Sequence, residues 1–218
     1  MSRWTEWRSV QRFLKQLRYR TVAEPSVILD VGSRDCRTSV TLARKYPRAR
    51  VFAFEAHPES FEKCRRKAAA YGNISVTFGA VHEFDGQTPF FPVIDGNVGA
   101  SSVFRFDNHS GYPSQHQQTE ITVPAIRLDT WAAHHGIDHF DLVWMDLQGA
   151  ELLALRGMGR LLETVSSLYL EVEFKPLYHG QPVYTDVDRY LAAHGFECLE
   201  VRQQKPGWWG NAAYARAA

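Results

Sequence analysis

The sequence predicts an α/β fold with a mostly parallel sheet and helices on both faces. Short apolar runs alternate with helical patterns from residue 27 onward, and this alternation is typical of βαβ units. The first run, VILDV, ends in Asp-Val-Gly and then opens into small and polar residues, as expected where a strand turns into a helix. The predicted strands lie at 27–31, 51–55, 74–81, 140–146, 166–174, 196–202 and 211–217.

The helices of this pattern have recognisable ends. Pro58 occupies a first-turn position, where its missing N–H is tolerated, and Gly195 ends the last helix. The last two strands are joined by a loop that contains Pro206 and Gly207, and they could pair antiparallel. The predicted helices lie at 37–46, 58–71, 128–135, 149–158 and 183–194.

The segment 82–126 differs from the rest of the chain. It is rich in glycine and proline and has no helical period. We expect loops and short extended pieces here, with one or two edge hairpins around QTPFFPVI and EITVPAI. A region of this length without helices is uncommon in a compact domain unless it forms a binding surface or a lid.

Composition limits the class of protein. The chain of 218 residues, with 44% hydrophobic and 22% charged residues, fits one soluble domain, and no stretch is apolar enough to span a membrane. The three cysteines lie far apart without a Cys-x-x-Cys pair, which argues against a disulfide framework or a zinc site. The cysteine spacing, together with the lack of a visible secretory signal, favours the reducing cytoplasm as the location of the protein. The net charge of +1 gives no reason to expect a nucleic-acid partner.

The N-terminus, residues 1–24, is predicted to form a basic amphipathic helix that precedes the main domain at 25–218. Its first 20 residues hold six basic side chains and one acidic side chain, and aromatic and leucine residues recur at near-helical spacing. The apolar stripe could pack on the main domain. Contact with a membrane surface, contact with an anionic partner and a lid over the acceptor site are the alternatives.

A cofactor site is expected where the first two strands end. Asp30 closes the first strand, and Gly32 allows a sharp turn toward the helix that follows. Glu55 closes the second strand 23 residues after Gly32. Its carboxylate only accepts hydrogen bonds, so it suits the two hydroxyls of a ribose at this end of a parallel sheet. The alternative is that Asp30 and Glu55 merely cap helices or bind solvent.

The loop itself favours one cofactor over others. Glu55 would repel the 2′-phosphate of NADP, and a dinucleotide needs Gly-x-Gly-x-x-Gly, of which only Gly32 is present. S-adenosylmethionine has no phosphate and tolerates such a loop, and its amino group could use Asp30 and backbone carbonyls.

Several blocks of sequence occur in the order of a known family. The chain resembles the FkbM-type family of S-adenosylmethionine-dependent O-methyltransferases from residue 28 to its C-terminus. This resemblance implies a Rossmann-like class I methyltransferase fold, in which a seven-stranded sheet has an antiparallel last strand. It also implies sugar, lipid-linked or polyketide-type acceptors. The blocks are LDVGS at 29–33, FEAHP at 54–58, GASSV at 99–103, RLDTW at 127–131, MDLQGAELLALRG at 145–157 and LYLEVE at 168–173.

The chain departs from the family pattern at three places. Cys36 stands in the loop where glycine is usual, and Ala56 stands where proline is usual. Trp144 stands where the family often has lysine. Since residues 144 and 146 share one face of a strand, an aromatic surface replaces a cation near the expected reaction centre.

The catalytic prediction centres on Asp146, which closes the fourth strand and would face the methyl group as general base. Glu171 on the neighbouring strand could assist or bind sugar hydroxyls, as could Glu173, and His179 is an alternative base. No metal is expected, although Asp146, Glu171 and Asp129 could supply oxygen ligands. The residues predicted to contact the cofactor are Asp30, Gly32, Ser33, Arg34, Glu55, Ala56, Ala80, Val81, Ser101 and Asp146.

The leading hypothesis is therefore an O-methyltransferase of natural-product or polysaccharide type. It would move a methyl group from S-adenosylmethionine to a hydroxyl of a small molecule or glycan and release S-adenosylhomocysteine. Trp208-Trp209 could stack on a sugar or cover the sheet edge. The alternatives are an NAD-dependent oxidoreductase, which lacks both the glycines and a Tyr-x-x-x-Lys pattern, and a non-catalytic module whose cofactor loop has decayed.

Overall fold

The computed structural model describes residues 24–110 and 116–217. Twelve strands are found in these residues, seven in one large sheet and five in two small sheets. The strands are β1 Val27–Val31, β2 Arg50–Glu55, β3 Ile74–Phe78, β4 Ala80–His82, β5 Gly86–Phe90, β6 Val93–Asp95, β7 Gln117–Gln118, β8 Ile121–Arg127, β9 Leu142–Met145, β10 Ser167–Glu173, β11 Phe196–Lys205 and β12 Trp209–Arg216.

The large sheet has the order β3-β2-β1-β9-β10-β12-β11. The neighbours from β3 to β10 pair in parallel, whereas β12 is inserted antiparallel between β10 and β11. The chain order reverses at β1, so the gap between β1 and β9 is the topological switch point, where ligands of open α/β sheets bind. The predicted class I methyltransferase fold with its antiparallel last strand is confirmed.

Helices cover both faces of this sheet. Apolar side chains of α1 pack with Ile28 and Leu142 on one face, and α3, α4 and α5 pack with Val143 and Leu170 on the other. Because the central parallel strands are buried on both faces, β1 and β9 are apolar almost throughout. The helices are α1 Arg37–Lys45, α2 Pro58–Ala68, α3 Leu128–His134, α4 Glu151–Gly157 and α5 Tyr184–Ala193.

The stretch 74–81, predicted as one strand, is two strands in different sheets. Gly79 separates β3 from β4 with a φ of +145°, and a Cβ at this position would lie 2.6 Å from the Ile126 side chain. β4 then leaves the large sheet and pairs in parallel with β8. The apolar pattern is continuous across the break, so periodicity alone does not reveal it.

The hairpins predicted within 82–126 are wrong. β5 pairs antiparallel with β8, which follows it about thirty residues later, and β6 pairs with β7. These contacts join distant segments, so local turn signals do not predict them. Strands β4 and β5 and a short 3₁₀ helix at Val98–Ala100 lie beside the carboxyl ends of β1 and β9.

The predicted N-terminal helix, apart from Glu24, lies outside the described residues. Among the helices of residues 24–110 and 116–217, none has the length and apolar character needed to cross a membrane.

Candidate active site

Two adjoining cavities open at the carboxyl ends of the central strands. The first, of about 70 Å³, lies over the ends of β1 and β2 and reaches β4. The second, of about 220 Å³, lies over the ends of β9 and β10. Both cavities are lined by Gly32, Arg34, Gly99, Asp146 and Gln148. A molecule in the first cavity would therefore meet a molecule in the second at Asp146 and Gln148.

The loop after β1 is held between β2 and β9. Gly32 has a φ of +82°, and a Cβ there would lie 1.9 Å from the backbone oxygen of Asp146. The backbone N–H groups of Gly32 and Ser33 both donate to the carbonyl of Phe54, at 3.0 and 2.9 Å. Only glycine permits this close approach, so Gly32 fixes the distance between the loop and the end of β9.

Asp30 holds the loop from behind. Its buried carboxylate accepts hydrogen bonds from the hydroxyl of Ser33, at 2.7 Å, and from the hydroxyl of Ser39 in α1. Asp30 lines neither cavity, whereas Ser33 lines the second. The structure therefore shows Asp30 positioning the loop, and direct contact between Asp30 and a cofactor stays a prediction.

Glu55 lies on the wall of the first cavity, as its position at the end of β2 predicted. One carboxylate oxygen accepts from the backbone N–H of Arg34 at 2.5 Å, and the other accepts from the N–H of His57 at 2.7 Å. Each oxygen can accept a further hydrogen bond. Burial raises the pKa of Glu55 to about 7, and the nearby charge of Asp30 adds to the effect.

His57 is a feature of this cavity that the sequence did not reveal. Its Nδ1 atom is buried and has no hydrogen-bond partner within the described part of the chain. Burial also lowers the pKa of His57, which keeps the ring neutral at neutral pH. An unpaired buried polar atom on a cavity wall can accept a hydrogen bond from a bound molecule or donate one to it. Its place in the FEAHP block, next to Pro58, is the one signal that could have drawn attention to it.

The remaining walls of the first cavity are mostly apolar. Ala56, Ala80 and Val81 lie on them as predicted, together with Phe54 and Phe90. Ser101 also lies there, but its hydroxyl donates to the carbonyl of Val98 at 2.7 Å and so shapes the backbone. An apolar slot beside an acceptor-only carboxylate suits a flat base joined to a ribose.

The loop offers little to a pyrophosphate. Its N–H groups at 32, 33, 34 and 36 all donate within the protein, to Phe54, Glu55 and the carbonyl of Ser33. A dinucleotide is bound by such N–H groups pointing outward at its phosphates. This arrangement disfavours NAD and agrees with a cofactor that carries no phosphate.

Gln148 organises the second cavity and was not predicted. Its side-chain amide donates to Asp146 at 2.8 Å and also to Glu171, joining the two predicted catalytic carboxylates. The hydroxyl of Tyr178 lies 3.1 Å from the Gln148 side-chain oxygen. Gln148 stands within the MDLQGAE block, and Tyr178 precedes His179, the alternative base of the prediction.

The carboxylates of the second cavity are deeply buried. Glu171 and Glu173 are 5% and 2% exposed, and burial together with the negative charge of Asp146 raises the pKa of both well above the usual value. Glu151 lines neither cavity, and its carboxylate accepts from the N–H groups of Leu147 and Gly149 at 2.6 and 3.0 Å. Glu151 thus holds the turn that carries Gln148.

Two further predicted groups are not brought to this site. His179 lines neither cavity, and its exposed ring lies 3.7 Å from the carboxylate of Asp107. Asp129 instead forms a salt bridge of 2.7 Å with Arg127. Within residues 24–110 and 116–217, no group of three or more histidine, cysteine, aspartate or glutamate side chains is arranged to hold a metal ion.

Comparison with known proteins settles the family. The methyltransferase FkbM domain matches residues 30–198. The chain belongs to the FkbM methyltransferase family. It is also 30% identical over 161 residues to the 2-O-methyltransferase NoeI of Sinorhizobium fredii (strain NBRC 101917 / NGR234), a match that covers 71% of this chain and 66% of NoeI. The predictions of a methyltransferase and of S-adenosylmethionine, the cofactor that this family implies, are confirmed.

Solved structures show the same fold at low sequence identity. A putative O-methyltransferase from Klebsiella pneumoniae has a TM-score of 0.56 and 10% identity, covering 100% of this chain and 82% of that one. Magnesium protoporphyrin IX methyltransferase from Synechocystis PCC 6803, with S-adenosylhomocysteine bound, has a TM-score of 0.53 and 14% identity, covering 98% and 82%. The fold of this FkbM family member is therefore that of S-adenosylmethionine-dependent enzymes.

The pKa of Glu55 predicts pH-dependent cofactor binding. Hydroxyls that donate to the carboxylate favour its ionised form, so S-adenosylhomocysteine should bind more weakly as the pH falls below about 7, approaching about tenfold per pH unit. Binding near pH 7 should release protons. Calorimetry at pH 6, 7 and 8, in buffers of different ionisation enthalpy, measures both effects.

Glu55→Gln should remove the pH dependence that Glu55 causes and weaken binding at pH 8 by about tenfold or more. Wild-type affinity in a folded Glu55→Gln protein would contradict this assignment.

Cys36 is expected to serve packing and not cofactor binding. Its side chain is fully buried against Cys64 and Ala68, its φ is +63°, and it lines neither cavity. Cys36→Gly relieves the backbone strain but removes a packed thiol, so we expect the affinity for S-adenosylhomocysteine to change by about twofold or less. Calorimetry and a melting curve measure this change. A tenfold loss in a folded variant would give the thiol a direct part in the site.

Proposed function

We propose that this FkbM family member transfers the methyl group of S-adenosylmethionine to a hydroxyl of a sugar-like acceptor. The observation that carries the proposal is the position of Asp146. It directly follows β9, lines both cavities and accepts a hydrogen bond from Gln148. The first cavity would hold the cofactor and the second the acceptor, with Asp146 at their junction.

When bound, S-adenosylmethionine supplies an electrophilic methyl group on a sulfonium. The protein must then place an acceptor oxygen about 3 Å behind the methyl carbon and take up the hydroxyl proton. Asp146 is placed to accept that proton. The Gln148 amide joins Asp146 to Glu171, and burial together with the negative charge of Asp146 raises the pKa of Glu171.

The lining of the second cavity supports a sugar-like acceptor. Carboxylates of Asp146, Glu171 and Glu173 can accept hydrogen bonds from hydroxyls, and aromatic rings of Trp144 and Trp209 line the same space. Aromatic faces pack on the apolar faces of a sugar ring while carboxylates orient its hydroxyls. That NoeI is named a 2-O-methyltransferase supports a hydroxyl as the acceptor group.

Asp146→Asn tests the role of Asp146. The carboxamide keeps the shape of the side chain but cannot take up a proton, so single-turnover methylation should slow by roughly 10²–10⁴-fold. The affinity for S-adenosylhomocysteine should stay close to that of the wild type. The assay follows methyl transfer from S-adenosylmethionine to a panel of sugar and aromatic hydroxyl compounds. Asp138→Asn, at an exposed carboxylate, is the matched control.

The outcomes separate the hypotheses. Full turnover in Asp146→Asn would mean that Asp146 is not the base. Loss of S-adenosylhomocysteine binding in that variant would place Asp146 among the residues that hold the cofactor. Wild-type protein that binds S-adenosylhomocysteine and methylates no hydroxyl compound would contradict O-methylation, and binding of NAD instead would contradict the cofactor assignment.

A further inference from the structure

We propose that the acceptor carries a protonated amine beside the hydroxyl that is methylated, as in an amino sugar or a related amino alcohol. In this arrangement Glu171 and Glu173 bind the amine, and Asp146 serves the hydroxyl. The inference rests on the proposed methyl transfer and specifies the chemical class of its acceptor.

The second cavity is lined by buried acidic side chains. Glu171 and Glu173 lie on one face of β10, both line the cavity, and both are almost completely buried. The charged groups that act most strongly on Glu171 are Asp146, Glu173 and Glu151, all of them acidic. Within the described residues, no lysine, arginine or histidine forms an ion pair with Glu171 or Glu173. A bound cation would offset this burial of negative charge, and an anionic acceptor would be repelled.

The carboxylates of Glu171 and Glu173 offer hydrogen-bond acceptors to a bound molecule. Glu171 accepts a hydrogen bond from the Gln148 amide, and the Gln181 amide lowers the pKa of Glu173. A carboxylate has about four acceptor sites, so both acids on the cavity wall keep acceptor capacity. An ammonium group has three donors and no acceptor, whereas a hydroxyl both donates and accepts. The surplus of acceptors matches an ammonium better than a further hydroxyl.

Aromatic side chains line the second cavity together with these acids. Trp209 lies directly opposite Glu173 in the register of β10 and β12, and it lines the same cavity. Trp144, Phe106 and Tyr178 line it as well. Aromatic faces attract cations through the charge distribution of the ring, and carboxylates add direct attraction. Among the described residues, the basic side chains on the cavity wall are His116 and Arg34, and Arg34 is exposed and lies beside Asn97.

The test measures the binding of four probes to the protein saturated with S-adenosylhomocysteine. The probes are glucosamine, glucose, N-acetylglucosamine and glucuronate, which share a pyranose ring but differ in charge and donors. By calorimetry or ligand-observed NMR, glucosamine should bind about tenfold tighter than glucose or N-acetylglucosamine, and glucuronate should bind most weakly. The preference should fall to about twofold in Glu171→Gln and in Glu173→Gln. Glu163→Gln, at an exposed acid of the same sign, should keep the wild-type preference.

The readouts keep this inference separate from the proposed function. Affinity for S-adenosylhomocysteine shows that each variant is folded, and the wild-type comparison of probes needs no variant. Equal binding of glucosamine and glucose, or no glucosamine binding, overturns the amine inference while leaving methyl transfer standing. Failure of S-adenosylhomocysteine to bind overturns the proposed function itself. After turnover with glucosamine, a methyl group on oxygen supports the assigned roles, and a methyl group on nitrogen overturns them.

Discussion

The close approach of Gly32 to the carbonyl of Asp146 is the constraint on which the site depends. A side chain at Gly32 would collide with that carbonyl at 1.9 Å, so the loop after β1 can lie against the end of β9 only because Gly32 has none. The amide of Asp146 in turn donates to the carbonyl of Val31 at 2.9 Å. These contacts fix Asp146 at the boundary between two cavities, which is the position a group must occupy to act between two bound molecules.

Burial of the acids Glu55, Glu171 and Glu173 lowers the stability of the folded protein, and contacts with a bound ligand can offset this loss. Glu55, Glu171 and Glu173 all have raised pKa values, so their ionised forms are less favourable in the folded protein than in the unfolded chain. Each therefore lowers stability as the pH rises from the unfolded value of about 4.5 through the folded value. Groups of this kind are common where a protein binds or reacts, because ligand contacts then supply the compensating interactions. The same reasoning applies to Glu55 in the first cavity and to Glu171 in the second cavity.

The sequence predicted those parts of the site that lie at the carboxyl ends of the parallel strands. Glu55 ends β2 and Asp146 directly follows β9, and the carboxyl ends of parallel strands meet at one edge, so their placement required no knowledge of loops. His57, Gln148 and Tyr178 escaped prediction because their roles depend on turns and on side-chain orientation. His179 was the alternative base because of the chemistry of its ring, yet the adjacent Tyr178 lines the cavity. The small sheets within 82–126 could not be predicted because β5 and β8 pair across about thirty residues of chain.

The most direct test of this account is a crystal structure of the protein with S-adenosylhomocysteine bound. The account predicts that the ribose hydroxyls lie within hydrogen-bond distance of the Glu55 carboxylate and that the base lies between Ala56, Ala80 and Val81. The sulfur should then face Asp146 at the opening into the second cavity. A ligand seated in the second cavity, or one that turns its amino acid end toward Glu55, would contradict the assignment of the two cavities.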